Sequence, residues 1–304
     1  MNKIIKNRPA SVKAKLMNLA KFRNIDFDFL LLRYMQERLL YRLSASKYID
    51  YFVLKGGLLL ICFEITYTRP TLDIDFLAQK VKNTQEELKR IFRDIVNIDY
   101  DDGIKFFSES IYSEEIKKGE DYHGVRIKIN ATLGKAKKIL QIDIGFGDEV
   151  IPEPMQMDFP TILEGEYPKI KAYSIESVIS EKFEVMVKLN ILNSRMKDFY
   201  DIYSFSMDNC FSSGILIRAI KVTFSRRETP LAKNLIIFDK EFYFNDNRQR
   251  QWQAYLRKIK EENVSKDFSV IMLRIIAFLK PVVLSIKDNK IIGRKWSSEQ
   301  GLWV

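Results

Sequence analysis

The stretch FVLKGGLLLICFEITYTRPTLDIDFL, residues 52–77, decides how the rest of the chain is read. It opens on a short apolar run, Phe52-Val53-Leu54, that breaks at Gly56-Gly57. A hydrophobic, helix-like segment follows over residues 58–65, then a turn at Arg69-Pro70. It closes on Leu72-Asp73-Ile74-Asp75-Phe76, where apolar and acidic residues alternate. Side chains two apart in a strand share a face, so Asp73 and Asp75 are expected to point one way while Leu72, Ile74 and Phe76 point into the core. Two carboxylates side by side repel each other, and a divalent cation relieves that repulsion. Oxygen-only ligands suit Mg²⁺, which keeps some waters and shares its shell with substrate phosphates. Gly56 and Gly57 lack a Cβ, so backbone N–H groups there can approach an anion at the start of the next helix. A phosphate cradle beside a metal-binding acidic pair suggests a nucleotide-handling site.

Composition bounds the rest. A chain of 304 residues fits one large domain or two of ordinary size. Its 46% hydrophobic and 30% charged residues are those of a folded chain. The formal net charge of +10 favours an anionic partner, nucleic acid or nucleotide first and a membrane surface second. Cys62 and Cys210 lie far apart and give neither a disulfide framework nor zinc spacing. His123 is the only histidine, which excludes a multi-histidine metal centre and disfavours a Ser-His-Asp mechanism. Carboxylates and lysines are left for catalysis. No signal-peptide pattern opens the chain, and the apolar run over 270–279 is interrupted by Arg274 and too short to span a bilayer. A cytoplasmic protein with no membrane partner is expected.

Outward from the opening stretch, residues 1–24 are lysine-rich and poorly patterned, a weak helix or a partly ordered arm. Residues 26–46 carry Leu32, Met35, Leu39 and Leu43 at helical spacing, with Arg33, Arg38 and Arg42 outside that stripe. Asn83-Thr84-Gln85-Glu86 reads as a helix start, and residues 86–96 continue as an amphipathic helix. Residues 104–106, 124–129 and 138–146 alternate as strands, while 108–121 reads as a strand end and loop. In KILQIDIGF the alternation sets Gln141 and Asp143 on one face. Pro152, Pro154, Pro160 and Pro168 punctuate a stretch with little expected regular structure. The division therefore falls at 165/166, with a helical, basic second half that opens on helices near 174–189 and 194–205.

Asp73, Asp75 and Asp143 form a candidate metal set on two strands, suited to holding two ions that activate a hydroxyl and neutralise a leaving phosphate. The plain alternative is an exposed acidic strand face and an ordinary glycine turn. In the second half, Arg195 and Asp198 are three apart and Lys197 and Asp201 four apart, so each pair shares a helix face. These residues would make either a surface ion-pair lattice or a device presenting Lys182, Lys197 or Arg195 to a triphosphate. Spacing leaves both open.

These residues resemble the AbiEii-type nucleotidyltransferase toxins of the DNA-polymerase-β-like superfamily. The resemblance rests on Lys55-Gly56-Gly57 and Arg69-Pro70-Thr71-Leu72-Asp73-Ile74-Asp75-Phe76. It continues through Glu176, Glu181-Lys182 and Arg195 with Lys197-Asp198-Phe199-Tyr200-Asp201, and spans residues 52–205. It implies an α+β, bilobed protein, with a mixed-sheet nucleotidyltransferase lobe over 1–165 and a mainly helical lobe over 166–304. By the family pattern Asp73 and Asp75 bind Mg²⁺, Gly56, Gly57 and Arg69 receive nucleotide phosphates, and Lys182 and Asp198 complete the site with Arg195 and Lys197. It also implies an NTP substrate, a tRNA or other RNA acceptor, and a cognate antitoxin in a toxin–antitoxin or abortive-infection system. Leu58 departs from the pattern, standing where many members carry Ser or Thr. A small-molecule nucleotidyltransferase and a catalytically inactive NTP- or RNA-binding member are the competing readings.

Overall fold

The computed structural model describes residues 7–63, 71–117, 123–289 and 293–304. The chain divides into two compact units, one built from the chain up to Gly147 with Met155–Ala172, the other from Asp148–Pro154 with Tyr173–Val304. The 165/166 division expected from sequence falls inside the returning segment 155–172.

The first unit runs α1 (Arg8–Arg23), α2 (Phe27–Ser44), β1 (Phe52–Lys55), α3 (Gly56–Leu59), β2 (Asp73–Ala78), α4 (Gln85–Val96), β3 (Ile104–Phe106), β4 (Tyr112–Lys117), β5 (His123–Leu133), β6 (Ala136–Phe146), β7 (Met155–Asp158) and β8 (Lys169–Ala172). The strands form one mixed sheet in the order β3-β5-β6-β2-β1-β8-β7, with β4 also paired to β5. The pairs β2–β6 and β1–β8 are parallel. Ile74, Ile142 and Ile127 share one register row and are fully buried, which puts the core on that face of the sheet.

Several elements depart from the sequence reading. The lysine-rich start is a regular helix: Asn7 accepts from the Ala10 N–H, and Asn24 closes α1 in the left-handed region at φ 51°. In α2 the stripe Leu32, Met35, Leu39 and Leu43 is buried as expected, but so are Arg33, Arg38 and Arg42. The segment 155–172 accounts for part of this, because it returns over α2. Arg33 donates to the Pro160 carbonyl at 3.2 Å and lies 4.2 Å over the Phe159 ring. Glu37 accepts from the Ile162 N–H at 2.7 Å and pairs with Arg38. On another side Arg42 forks onto Asp102 at 2.7 and 3.3 Å.

Leu72 is 65% exposed rather than in the core. The first ladder pair of β2 is Asp73 with Gln141, so Leu72 precedes the region where alternation applies. The helix expected over 58–65 is a single α turn followed by a 3-10 turn, Leu60–Phe63, with residues 64 and 65 outside the described part. The Arg69-Pro70 turn also lies outside it. Leu58 is fully buried. The strand β4 lies in the stretch read as a strand end and loop, and β7 and β8 lie in or beside the proline-punctuated stretch expected to hold little regular structure.

The second unit holds α5 (Ile175–Leu189), α6 (Met196–Asp208), β9 (Phe211–Ser212), α7 (Ser213–Arg226), α8 (Lys240–Tyr243), α9 (Asp246–Ile259), α10 (Phe268–Lys287), β10 (Lys295–Ser297) and β11 (Leu302–Trp303). Ser174 caps α5 by accepting from the Ser177 N–H, as its position predicts. The helical reading missed a small sheet, β11-β10-β9, whose Trp296 and Trp303 pack on Phe278. Asp148 is tied into this unit by Arg227, which also binds Glu181 at 2.9 Å and Glu184 at 3.0 Å. By length and composition α10 could cross a membrane. Its Ile271, Met272, Ile275, Phe278, Leu279, Val282 and Val283 are nevertheless buried in this unit, and Arg274 donates to the Ser206 and Ser298 carbonyls.

Candidate functional site

In the first unit the acidic pair sits where the alternation put it. Asp73 and Asp75 are half-buried on one face of β2 while Ile74 and Phe76 are buried on the other. Register then builds a row of charge across five strands: Lys55 on β1, Asp75 on β2, Asp143 on β6, Arg126 on β5 and Glu114 on β4. A second row on the same face, two residues along, holds Asp73, Gln141, Lys128 and Tyr112. Gln141 donates to Asp73 Oδ1 at 2.7 Å.

Asp143 is brought beside Asp75 by the parallel β2–β6 pairing, but Arg126 holds it through Nε to Oδ1 at 2.8 Å and Nη2 to Oδ2 at 2.9 Å. The hydrogen bonds from Arg126 to Asp143 lead the causes that raise the guanidinium pKa. Among the described residues no three His, Cys, Asp or Glu side chains are grouped so as to hold a metal ion. Asp73 and Asp75 fit a divalent cation as hard oxygen donors on one strand face. Asp143 is also a hard oxygen donor, with one lone pair on each oxygen taken by the Arg126 fork. The signal for Arg126 lay in the alternation of residues 124–129, which sets Arg126 and Lys128 on one face.

The glycines are held to their type by these same groups. Gly56 has φ +69°, and a Cβ there would lie 2.0 Å from Asp75 Oδ2 and 2.6 Å from its Cγ. A Cβ on Gly57 would lie 2.8 Å from Thr71 Oγ1. The glycine pair therefore lets the chain pass against Asp75 and the lead-in to β2. Gln36, buried on α2, donates to the Leu72 carbonyl at 3.1 Å and anchors that lead-in from the helix layer. Arg69 lies outside the described residues. Cys62 is an inert thiol here, pushed up to about 12 by burial.

In the second unit, Lys182 on α5 reaches Asp198 at 3.0 Å and Asp201 at 2.5 Å, both on α6. Arg195, at the N-cap position of α6, meets Asp198 Oδ2 through Nε at 2.6 Å. The carboxylates are 1% and 0% exposed and Lys182 12%, so this is a buried network and not a surface lattice. Arg195 is 45% exposed and carries the network to the surface. Burial works against the ionised form of Asp198, but Lys182 and Arg195 more than offset it and hold the carboxyl at about 2. Lys197 is half-buried in the first turn of α6. Glu181, next to Lys182, turns instead to Arg227. Glu176 is raised by burial.

A family model described as "Nucleotidyl transferase AbiEii toxin, Type IV TA system" matches residues 38–273. Among curated proteins none matches this sequence. Two solved structures from Helicobacter pylori are similar to it. One, described as a putative nucleotidyltransferase, is 17% identical with a TM-score of 0.46, covering 88% of this chain and 99% of its own. The other, JHP933, is 16% identical with a TM-score of 0.45, covering 85% of this chain and 94% of its own.

Proposed function

Since the chain belongs to the AbiEii nucleotidyl transferase toxin family of type IV toxin–antitoxin systems, and so is a nucleotidyltransferase, we propose that it transfers a nucleoside monophosphate from an NTP to an RNA acceptor. The acceptor we propose is the 3′ end of tRNA, whose hydroxyl attacks the α-phosphate while pyrophosphate leaves. Extension of that end blocks aminoacylation and so translation, and a cognate antitoxin restrains the activity. The cytoplasm, where tRNA works, is the matching compartment. The net charge of +10 suits a polyanionic acceptor held mainly through its phosphates.

The observation that carries this reading is the pair Asp73 and Asp75 on the polar face of β2, with Gly56 packed against the Asp75 carboxylate. Asp73 and Asp75 would hold Mg²⁺, proposed as two ions, with Asp143 as the third ligand. The metal supplies charge neutralisation at the phosphates and a more acidic attacking hydroxyl. Gln141 holds one Asp73 oxygen and so fixes the direction of that carboxylate. Gly56, Gly57 and Arg69 would meet the phosphates. Asp198 stays ionised through the neutral range and orients Lys182 and Arg195, which with Lys197 would bind the triphosphate.

Incubation of the protein with tRNA, Mg²⁺ and each labelled NTP in turn tests this. Label entering the tRNA 3′ end, lost in Asp75→Ala, is the expected result. The reading falls if no nucleotide labels any RNA and Asp75→Ala arrests growth as well as the wild type does.

A further inference from the structure

The connection between α5 and α6 carries Arg195, and it leaves Ile191 65% and Leu192 82% exposed. Burial of its apolar side chains therefore does not hold this turn. A residue more than fifty positions later does. Arg248, on α9 and 8% exposed, donates from Nη1 to the Asn193 carbonyl and from Nη2 to the Ile191 carbonyl, each at 2.7 Å. Its guanidinium lies 3.6 Å over the Phe242 ring, which fixes the plane of the fork. Asn193, 1% exposed, then accepts the Arg195 backbone N–H on Oδ1 at 2.8 Å. Its Nδ2 finds no partner among the described residues, so the buried amide is kept in place for its oxygen. A lysine could not reproduce the two-branched grip, because only a guanidinium offers rigid paired donors.

We propose that Arg248 is a positioning residue for nucleotide binding: it clamps the 191–193 turn so that Arg195 presents its exposed guanidinium face to the triphosphate. This rests on the reading of Arg195 as a nucleotide contact. The clamp acts through the backbone, and Arg248 touches no substrate.

Affinities for labelled ATP, GTP, CTP and UTP, measured by equilibrium dialysis with Mg²⁺ on the full chain, test it for whichever nucleotide the wild type binds. Arg248→Lys is expected to weaken binding about tenfold, the worth of one well-placed charged contact. In an Arg195→Gln background the same change is expected to add less than a twofold loss, because both act on one group. Phe278→Leu, a core truncation elsewhere in the unit, serves as a control that lowers Tm and leaves affinity within about twofold. Should Arg248→Lys not fold, Asn193→Ala removes the Arg195 acceptor with the clamp intact and carries the same expectation. Wild-type affinity in Arg248→Lys alongside weakened Arg195→Gln overturns the proposal alone. So does a loss of affinity no larger than that of a Phe278→Leu protein with matched Tm. Wild-type affinity in Arg195→Gln instead overturns the reading beneath it.

Discussion

A methyl group at residue 56 has nowhere to go. The backbone is in the left-handed region, and the new carbon would overlap the Asp75 carboxylate. The backbone strain alone costs about 1–2 kcal/mol, and relief of the overlap requires Asp75 to move. Gly56→Ala is therefore expected to lower Tm by about 2–8 °C and to cut nucleotide transfer on the order of 10²-fold, read by a melt and an initial-rate assay. Asp198 gives a prediction in pH. Its folded pKa of about 2 lies below the unfolded carboxylate value, so its contribution is complete above the unfolded value and is lost as pH falls toward 2. That contribution is about 2 kcal/mol at neutral pH. Urea melts of wild type and Asp198→Asn should differ by at least that amount at pH 7, and the gap should narrow below about pH 4. At this scale the sequence was readable where partners are local. Asp73 and Asp75 two apart, and Arg195 and Asp198 three apart, announce their shared faces. Lys182 with Asp201, or Arg126 with Asp143, meet only through helix packing or strand register, and no local spacing encodes that.

At the scale of elements, α2 shows both what periodicity supplies and where it stops. The stripe from Leu32 to Leu43 correctly marks a packing helix, but a period cannot say whether a later segment will cover the opposite side. Residues 155–172 cover Arg33 and Arg38, which look solvent-facing in sequence, while Arg42 is buried on another side in an ion pair with Asp102. Removing one partner of such a pair strands the other. Arg42→Met should cost about 3–5 kcal/mol in denaturant melts, since Asp102 is left charged and 2% exposed. Adding Asp102→Asn should recover more than half of that loss, because the amide keeps the acceptor for the Ile104 N–H without the charge. Recovery below a quarter would mean that the Ile98 and Arg38 carbonyls, which lose their Arg42 donors in both variants, account for the cost. The strands β7 and β8 escaped the sequence reading for a related reason. They are four residues long and lie among prolines, so no alternation is long enough to register.

For the whole molecule, the path of the chain matters as much as its elements. It leaves the first unit after Gly147, returns at Met155 and leaves again after Ala172. Nothing in composition marks the return, because the proline-rich stretch reads as linker until β8 is seen beside β1. Val53 pairs with Lys171 and Leu54 with Ala172, so a chain ended at residue 165 leaves β1 as a bare apolar edge. Such a chain should elute as aggregate in size-exclusion chromatography, whereas one ended at residue 172 should yield a monomer peak. The charged row from Lys55 to Glu114 has a further consequence. Its five members come from five strands, and on β2, β6 and β5 the residues one position away are apolar: Ile74 and Phe76, Ile142 and Ile144, Val125 and Ile127. A slip of one residue in any of these three drives a carboxylate or guanidinium into the core and an apolar side chain into water. The row thus works as a proofreading device in folding: only one alignment of β1, β2, β6, β5 and β4 closes it. The β2–β6 pairing joins segments 68 residues apart, from Asp73 to Gln141, so that check comes late and folding should be slow.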